Sequence, residues 1–539
     1  MDKWLGGTFE MTFVVKISRC FGFAGAVVLL LASDGIAGLP TVLDPAKSRV
    51  DQPVPQPPGL IRVDNAKQLF VDDWVVSQMD GLKRTLHPVT KHPDNPLFEP
   101  ERAWEQPAVL LFGTVMFDPH REHDRFRMWY LCFAPEYNDD YTERYNKHGR
   151  IAYATSRDGL HWERPSLGIH EYKGSKQNNI VIPGSPDSTV IIYDPRDPDP
   201  ARRYKAQIRN LGHRAYFSPD GIHWTEHGPL GIDGYDRSTV HWDPVGKQWF
   251  ASTKSMYIRS PGTDPVRGRG YQTTDDFLKW GDAAFMCATP EGSPELVYNL
   301  EPFYYETLFL GIWGRYIKDP DALLDVQLAV SRNGKHWERP SDQAWIPLSP
   351  LPADFQRKKN FRTPHTGVDP FDPKVPWDYA NNTTSSLGPV RVGDELWIYY
   401  SGRTSDHKSD PNTGKIGLGT LRLDGFFSLD AGREEGTLTT RPLQLVNEDL
   451  RVNADASRGT LEVEILDENG KVIEPFSRQN CVAIDTDHVR HVVSWGDAAD
   501  LKVLQQKPVR LRFFLKNTEL YAFWTGEERR WHTPDTTTW

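Results

Sequence analysis

"SRDGLHWERP", residues 156–165, recurs as "SPDGIHW" at 218–224 and as "SRNGKHWERP" at 331–340. A degenerate copy, "TTDDFLKW" at 273–280, keeps the polar start, the acidic residue and the final Trp. The Trp residues that close the copies are roughly 60 residues apart: Trp162, Trp224, Trp280 and Trp337. That period is within the range of one four-stranded propeller blade with long loops. The repeat therefore predicts a β-propeller.

A second repeat has the same period and lies ahead of the first. It reads "GTVMFDP" at 113–119, "STVIIYDP" at 188–195 and "STVHWDP" at 238–244, and the same place is taken later by "LEPFYYE" at 300–306 and "LGPVRVG" at 387–393. The Asp-Pro pair is expected to end a first strand and begin a hairpin, because Pro fixes φ and Asp bonds forward to the turn backbone. Together the two repeats predict five blades.

The Ser/Asp/Gly/Trp turn itself is interpreted as a structural fastener. Asp and Gly would form the hairpin, and the Trp would pin it to the neighbouring sheet. We therefore expect Asp158, Asp220 and Trp162 to stabilise the fold and take no part in chemistry.

The rest of the chain is predicted to be all β as well. With 539 residues, 38% of them hydrophobic, the chain is long enough for more than one domain. The five-bladed propeller is expected over 65–430, with "LFVDDWVVS" at 69–77 as the strand that closes the ring. Strictly alternating stretches at 460–473 and 507–526, the first with an Asn-Gly turn, predict a small β-sandwich over 431–539.

The N-terminus carries the pattern of a secretory signal. Lys16 and Arg19 precede an apolar run over 21–32 that is too short to span a bilayer. We expect a signal peptide over 1–38, a Pro-rich linker over 39–64, and a secreted or periplasmic protein without a membrane anchor. The net charge of −10 without a basic stripe argues against a nucleic-acid partner. Cys132, Cys287 and Cys481 lie far apart and predict neither a disulfide framework nor a zinc site.

Several motifs together resemble a known group of enzymes. They are "NPLFEP" at 95–100, "WE" at 104–105, "DGLHWERP" at 158–165 and "GDELWIYY" at 393–400. The chain resembles the five-bladed β-propeller glycosidases of families 32, 43 and 68 and the mannoside phosphorylases, and it is most similar to secreted family-32-like proteins. The resemblance implies a carbohydrate substrate and an exported glycoside hydrolase. The alternatives are a non-catalytic carbohydrate-binding propeller and a related phosphorylase.

Cleavage of a glycosidic bond generally needs two carboxyl groups, so acidic residues near the propeller axis are the candidates. The first strand of each blade begins beside that axis, which selects acids that directly precede these strands: Asp187, Asp236, Glu295 and Glu105. Glu301, inside the fourth unit's strand, is a less favourable candidate by the same criterion.

The superfamily order implies roles for these acids. Asp187 would stabilise charge or orient water, and Asp236 or Glu295 would donate the proton. Glu105 would substitute for the first-blade acid of family 32, because Phe112 and Gly113 occupy that place here.

Four further residues are expected to bind substrate. They are Arg237 at an axial end, Trp104 as a stacking face, and Arg362 and His365 in a long polar loop. No motif calls for a redox or nucleotide cofactor. "HREHD" at 120–124 is interpreted as a solvated turn, so no metal site is predicted.

Overall fold

The structure, a computed structural model, describes residues 42–43, 53–133, 136–137, 144–146, 149–184, 186, 188–209, 212–258, 265–318, 320–359, 366–407, 413–496, 500–505 and 507–529. Over these residues the chain is built from β-strands, which confirms the predicted all-β class. The described helices are single 3-10 turns: Pro200–Arg202, Glu474–Phe476, Arg478–Asn480 and Leu501–Leu504. No helix in the described ranges is both long and apolar enough to cross a bilayer.

The strands follow the two repeats. Ahead of the repeats lie β1 (Val42–Leu43), β2 (Ile61–Val63), β3 (Gln68–Leu69), β4 (Val76–Asp80), β5 (Lys83–Leu86) and β6 (Thr90–Lys91). The first unit holds β7 (Ala108–Phe117), β8 (Phe126–Phe133), β9 (Glu136–Tyr137), β10 (Arg144–Asn146), β11 (Gly149–Ser156) and β12 (Ile180–Ile182). The second holds β13 (Ser188–Tyr193), β14 (Tyr204–Arg209), β15 (His213–Ser218) and β16 (Thr225–Pro229). The third holds β17 (Thr239–Asp243), β18 (Gln248–Tyr257), β19 (Val266–Thr274) and β20 (Ala284–Cys287).

The later strands complete the repeats and the C-terminal region. The fourth unit holds β21 (Glu295–Tyr305), β22 (Leu308–Ile317) and β23 (Leu323–Ser331), and the fifth holds β24 (Asn381–Thr384), β25 (Val390–Val392), β26 (Glu395–Arg403) and β27 (Lys415–Arg422). The C-terminal region holds β28 (Phe427–Ala431), β29 (Gly436–Thr440), β30 (Leu443–Leu445), β31 (Leu450–Asp455), β32 (Thr460–Asp467), β33 (Asp487–Val493), β34 (Val509–Lys516) and β35 (Thr518–Thr525).

Each unit folds into an antiparallel sheet that follows chain order. The first three sheets run β7-β8-β11-β12, β13-β14-β15-β16 and β17-β18-β19-β20, and β1 adds to the third by pairing in parallel with β18. The fourth and fifth units are joined into one sheet, because Leu324 of β23 pairs in parallel with Asn381 of β24. The number of separate blades, five, therefore stays a prediction.

The first strands of the units lie beside one another. β7 contacts β13, β13 contacts β17, β17 contacts β21, and β24 returns to β7. Residues just outside these strands add hydrogen bonds, since the Ser386 amide donates to the Gly113 carbonyl and the Ser386 hydroxyl donates to the Thr189 carbonyl. This convergence of innermost strands is the arrangement that a propeller requires.

The N-terminal strands differ from the sequence-based expectation. β3 pairs with β35 and β4 pairs with β29, so the stretch 69–77 contributes to the C-terminal sheets and does not close the ring. The strand that joins the fifth unit from the N-terminal side is β6, whose Lys91 pairs with Gly419 of β27. A two-residue strand carries no alternation, which is why the pattern could not identify it.

The C-terminal region consists of two sheets that share a core. One runs β2-β30-β34-β29-β4 with β32 beside β34, and the other runs β33-β31-β35-β28-β5 with β3 beside β35. Leu511 and Phe513 of the first sheet and Leu520 and Phe523 of the second are fully buried in one hydrophobic cluster. This is the packing of a β-sandwich.

The repeated turn fastens neighbouring units, as predicted. Asp158 accepts hydrogen bonds from the Leu160 and His161 amides, both at 2.9 Å. The Gly159 carbonyl accepts from the indole of Trp162 (3.1 Å) and from the hydroxyl of Tyr399 in the fifth unit (2.8 Å). The turn therefore joins the first unit to the fifth, and its acid is a structural residue.

Candidate active site

Buried polar side chains surround the convergence of the first strands. Ser188 and Thr189 open β13, and Thr384 closes β24; each is about 1% exposed. The run "NNTTSS" at 381–386 is buried throughout although it carries no apolar side chain. Buried polar groups need partners, and a polar centre enclosed by apolar sheets is a frequent setting for a ligand site.

Arg237 lies at this centre, in the loop that leads into β17. Its backbone has φ of +53°, in the left-handed region that a non-glycine residue adopts at a cost of about 1–2 kcal/mol. The amide donates to the hydroxyl of Ser188 at 2.6 Å, and the carbonyl accepts from Arg269 at 2.9 Å. The side chain is 1% exposed, and its guanidinium lies 4.0 Å from the ring centroid of Phe112. The two backbone hydrogen bonds thus hold Arg237 inside the molecule in this unfavourable conformation.

Glu301 of β21 receives the Arg237 side chain. The Nη2 group of Arg237 donates to Oε1, and the Thr384 hydroxyl lies 3.5 Å from Oε2. The carboxyl side chain is fully buried. Burial raises the pKa of Glu301 above its usual value, against the lowering effect of Arg237 and Arg269. Glu301 is therefore the carboxyl of the site that holds a proton most readily.

Asp236 precedes Arg237 and differs from Glu301 in its surroundings. Its side chain is 35% exposed and forms an ion pair with Nζ of Lys254 on β18. Burial raises its pKa, but the positive charges of Lys254 and Arg267 outweigh burial and hold the pKa of Asp236 below its usual value. The surroundings therefore shift the pKa values of Asp236 and Glu301 in opposite directions.

Three more arginines complete a cluster of interacting charges. Arg269 is fully buried, and burial and its neighbour Arg267 lower its pKa to about 9. The pKa of Arg267 and that of Arg403 are lowered as well, chiefly by burial. We call this set the central cluster: Asp236, Arg237, Lys254, Arg267, Arg269, Glu301 and Arg403. It has five cationic and two acidic members.

Glu105 lies elsewhere, enclosed by the first unit. Its Oε1 accepts from the Tyr130 hydroxyl (2.5 Å) and from Nε of Arg164 (2.8 Å), and its Oε2 accepts from the Glu101 and Arg102 amides. The side chain is fully buried. With both carboxylate oxygens occupied, Glu105 has the contacts of a residue that stabilises a loop, and no contact in the described residues joins it to the central cluster.

Glu295 and Trp104 also have partners outside the cluster. Oε1 of Glu295 lies 2.7 Å from Nη2 of Arg339, and a second arginine, Arg315, lies 3.8 Å from Oε2. The indole of Trp104 donates to Asn179 at 2.9 Å. Of the residues named from the sequence, the structure therefore brings together Asp236, Arg237 and the less favoured candidate Glu301. Asp187, Arg362 and His365 lie outside the described residues.

Four members of the cluster were not among the residues named from the sequence: Lys254, Arg267, Arg269 and Arg403. Arg267 and Arg269 alternate with Gly268 on β19, so they lie on one face of that strand. A Cβ on Gly268 would lie 2.8 Å from the Tyr257 ring, so the strand passes close to its neighbour there. The sequence does contain a signal for these residues, because two arginines at alternating positions of one strand indicate a charged face.

No protein-family model and no curated protein sequence matches the chain. Solved structures do match, at low similarity. A glycosyl hydrolase from Bacteroides ovatus has a TM-score of 0.40 and 13% identity, over 67% of this chain and 97% of that one. A β-1,2-mannobiose phosphorylase from Listeria innocua has a TM-score of 0.37 and 12% identity, over 62% and 97%. An N-acetylgalactosamine deacetylase from F. plautii has a TM-score of 0.38 and 13% identity, over 64% and 97%. At these values the similarity assigns neither an activity nor a site.

Proposed function

We propose that this protein hydrolyses glycosidic bonds of an oligo- or polysaccharide and that the central cluster is its active site. The observation that carries the proposal is the arrangement of two carboxyl groups around Arg237, one adjacent in sequence and one bound to its guanidinium. Their surroundings shift the pKa of Asp236 down and that of Glu301 up. Carboxyls with opposite shifts are the usual basis for separate acid and base roles.

In this proposal Glu301 donates the proton to the leaving oxygen, and Asp236 acts as the nucleophile or activates water. Both roles are required for glycoside hydrolysis. Asp187 stays a third candidate, because it precedes Ser188, whose hydroxyl accepts the Arg237 amide hydrogen. Secretion or export to the periplasm and the family-32-like assignment remain predictions from the sequence.

A second candidate function is phosphorolysis of a glycoside. The excess of cationic over acidic side chains in the central cluster favours it, because inorganic phosphate as a co-substrate needs a basic pocket. A non-catalytic carbohydrate-binding propeller is the alternative in which the carboxyls have no chemical role.

The test is product release from a panel of glycans by the full chain, with and without inorganic phosphate. Glu301→Gln and Asp236→Asn are compared with Glu226→Gln, a control whose carboxylate binds Arg214 on the outer strands of the second unit. We expect release by the wild type and the control, and loss of about 100-fold or more in the other two. Binding without release by the wild type would establish the non-catalytic alternative, and release only in phosphate would establish the phosphorylase.

A further inference from the structure

The central cluster contains hydrogen-bond donors that the fold leaves unused. Nε and Nη1 of Arg237 and Nε of Arg267 and Arg269 are buried without a hydrogen-bond partner in the part of the chain that the structure describes. A buried donor without a partner is unfavourable, and more so when it belongs to a charged group. Arg237 is 1% exposed, so solvent gives it little compensation. A ligand that supplies a hydrogen-bond acceptor to these donors would therefore be favoured.

The same cluster has an excess of positive charge. Leaving Arg403 aside, four cationic side chains and two carboxylates are its described members, although the chain as a whole has a net charge of −10. Burial lowers the pKa of Lys254, Arg267 and Arg269, and the positive charge of a neighbouring arginine lowers each of them further. A negative charge placed among them would relieve this repulsion.

One side of the cluster is open to solvent. The side chain of Lys254 is 18% exposed and that of Asp236 is 35% exposed, while Arg237 and Glu301 lie buried behind them. Lys254 is therefore the cation of the cluster that is accessible from solvent, and the unused donors of Arg237 belong to the residue next to its partner Asp236.

We propose that the central cluster binds a carboxylate or sulfate group carried by the substrate glycan, so that the substrate is an acidic polysaccharide. This inference rests on the proposed function, because hydrolysis has water as its second reactant and the anion must then belong to the glycan. Guanidinium groups match both carboxylate and sulfate through paired N–H donors.

Calorimetric titration tests the proposal with matched ligand pairs. An oligogalacturonide is compared with its carboxyl-reduced form, and a carrageenan oligosaccharide with its desulfated form, on full-length Glu301→Gln protein so that no turnover interferes. We expect one charged ligand to bind at least about 10-fold more tightly than its neutral partner, with an affinity that falls as salt rises. Adding Lys254→Met should reduce that preference about 10-fold or more. Because Lys254 is partly exposed, this variant tests the site without removing a core residue.

Failure of this inference and failure of the proposed function give different results. Equal binding of both charged ligands and their neutral partners would overturn the anion site, and so would release of sugar by the wild type from neutral glycans alone. Binding of inorganic phosphate without a preference for either charged glycan would also overturn it and favour phosphorolysis. Charge-dependent binding by a wild type that releases no sugar would support the anion site and refute the hydrolase.

Discussion

Lys67 links three parts of the chain, and its replacement is expected to destabilise the protein strongly. It is fully buried ahead of β3. Its Nζ lies 2.9 Å from Asp424, between β27 and β28, and 3.1 Å from Glu528, beyond β35. Lys67→Met keeps most of the apolar stem and leaves both carboxylates without their shared cation.

The structure sets the size of the effect. Removing one partner of a buried ion pair costs about 3–5 kcal/mol. Asp424 keeps hydrogen bonds from the Tyr305 hydroxyl (2.7 Å) and from the Asn453 amide (2.9 Å), and Glu528 is 18% exposed. We therefore expect Lys67→Met to lower the free energy of unfolding by about 3 kcal/mol, at the low end of that range. The double variant with Lys67→Met and Asp424→Asn also removes the isolated charge, so it should regain part of the lost free energy of unfolding.

Urea unfolding of the full chain measures this difference in the free energy of unfolding. Lys502→Met is the control, since Lys502 is 55% exposed beside Glu448 and should change stability by less than about 0.5 kcal/mol. The charges on Asp424, Glu306 and Glu528 raise the pKa of Lys67 against the lowering effect of burial. The stabilisation is therefore complete below the unfolded-state pKa of about 10.4 and declines as pH rises through the folded-state value. A loss under about 1 kcal/mol at pH 7, or a wild-type advantage that does not decline at alkaline pH, would contradict this role of Lys67.

Three other outcomes follow from the same contacts. Gly221 has φ of +80°, and a Cβ there would lie 2.7 Å from an indole of the first unit. Gly221→Ala should therefore lower the free energy of unfolding by about 2–4 kcal/mol. Gly432→Ala is the control, because a Cβ there would have nothing within 4 Å, and it should change the free energy of unfolding by less than about 1 kcal/mol. Glu105→Gln should lower the midpoint of thermal unfolding, because the buried side chain loses acceptor capacity toward Tyr130 and Arg164. The kcat of the folded fraction should stay within about twofold of wild type. A normal midpoint with lost turnover would instead indicate a catalytic role. The pH profile of kcat/KM should fall toward acid as Asp236 is protonated below its usual pKa, and toward alkali as Glu301 loses its proton above its usual pKa. Glu301→Gln should abolish the alkaline limb in the residual activity, and an unchanged limb would exclude Glu301 as the donor.

The sequence predicted the repeating part of the fold because the turn is a local signal. Asp158 and Gly159 act within a few residues, so spacing alone reveals them. The pairing of β3 and β4 with strands more than 350 residues later depends on packing across the whole chain, and no local pattern carries it. The two-residue strand β6 is too short to show an alternating pattern, so the sequence could not predict it either.

The candidate site was predicted in part for a similar reason. Asp236 and Arg237 lie just ahead of β17, so the rule that selects residues directly before the first strand of a unit identifies them. Glu301 lies within β21, whose register shifts between Val297 and Leu300. A shift of this kind reverses which side chains face the centre, so alternation counted from the strand's start does not apply at Glu301. Burial and the bond from Arg237 identify it instead.

The most direct test of the proposed hydrolase concerns Glu301 as a proton donor in the central cluster. The measurement is kcat/KM of wild type and Glu301→Gln on the glycan identified by the panel, and on a dinitrophenyl glycoside of the released sugar, whose leaving group needs no proton. If Glu301 is the donor, Glu301→Gln loses about 100-fold or more on the glycan and keeps a rate within about tenfold of wild type on the activated substrate. A folded Glu301→Gln protein that cleaves the glycan at the wild-type rate would contradict it.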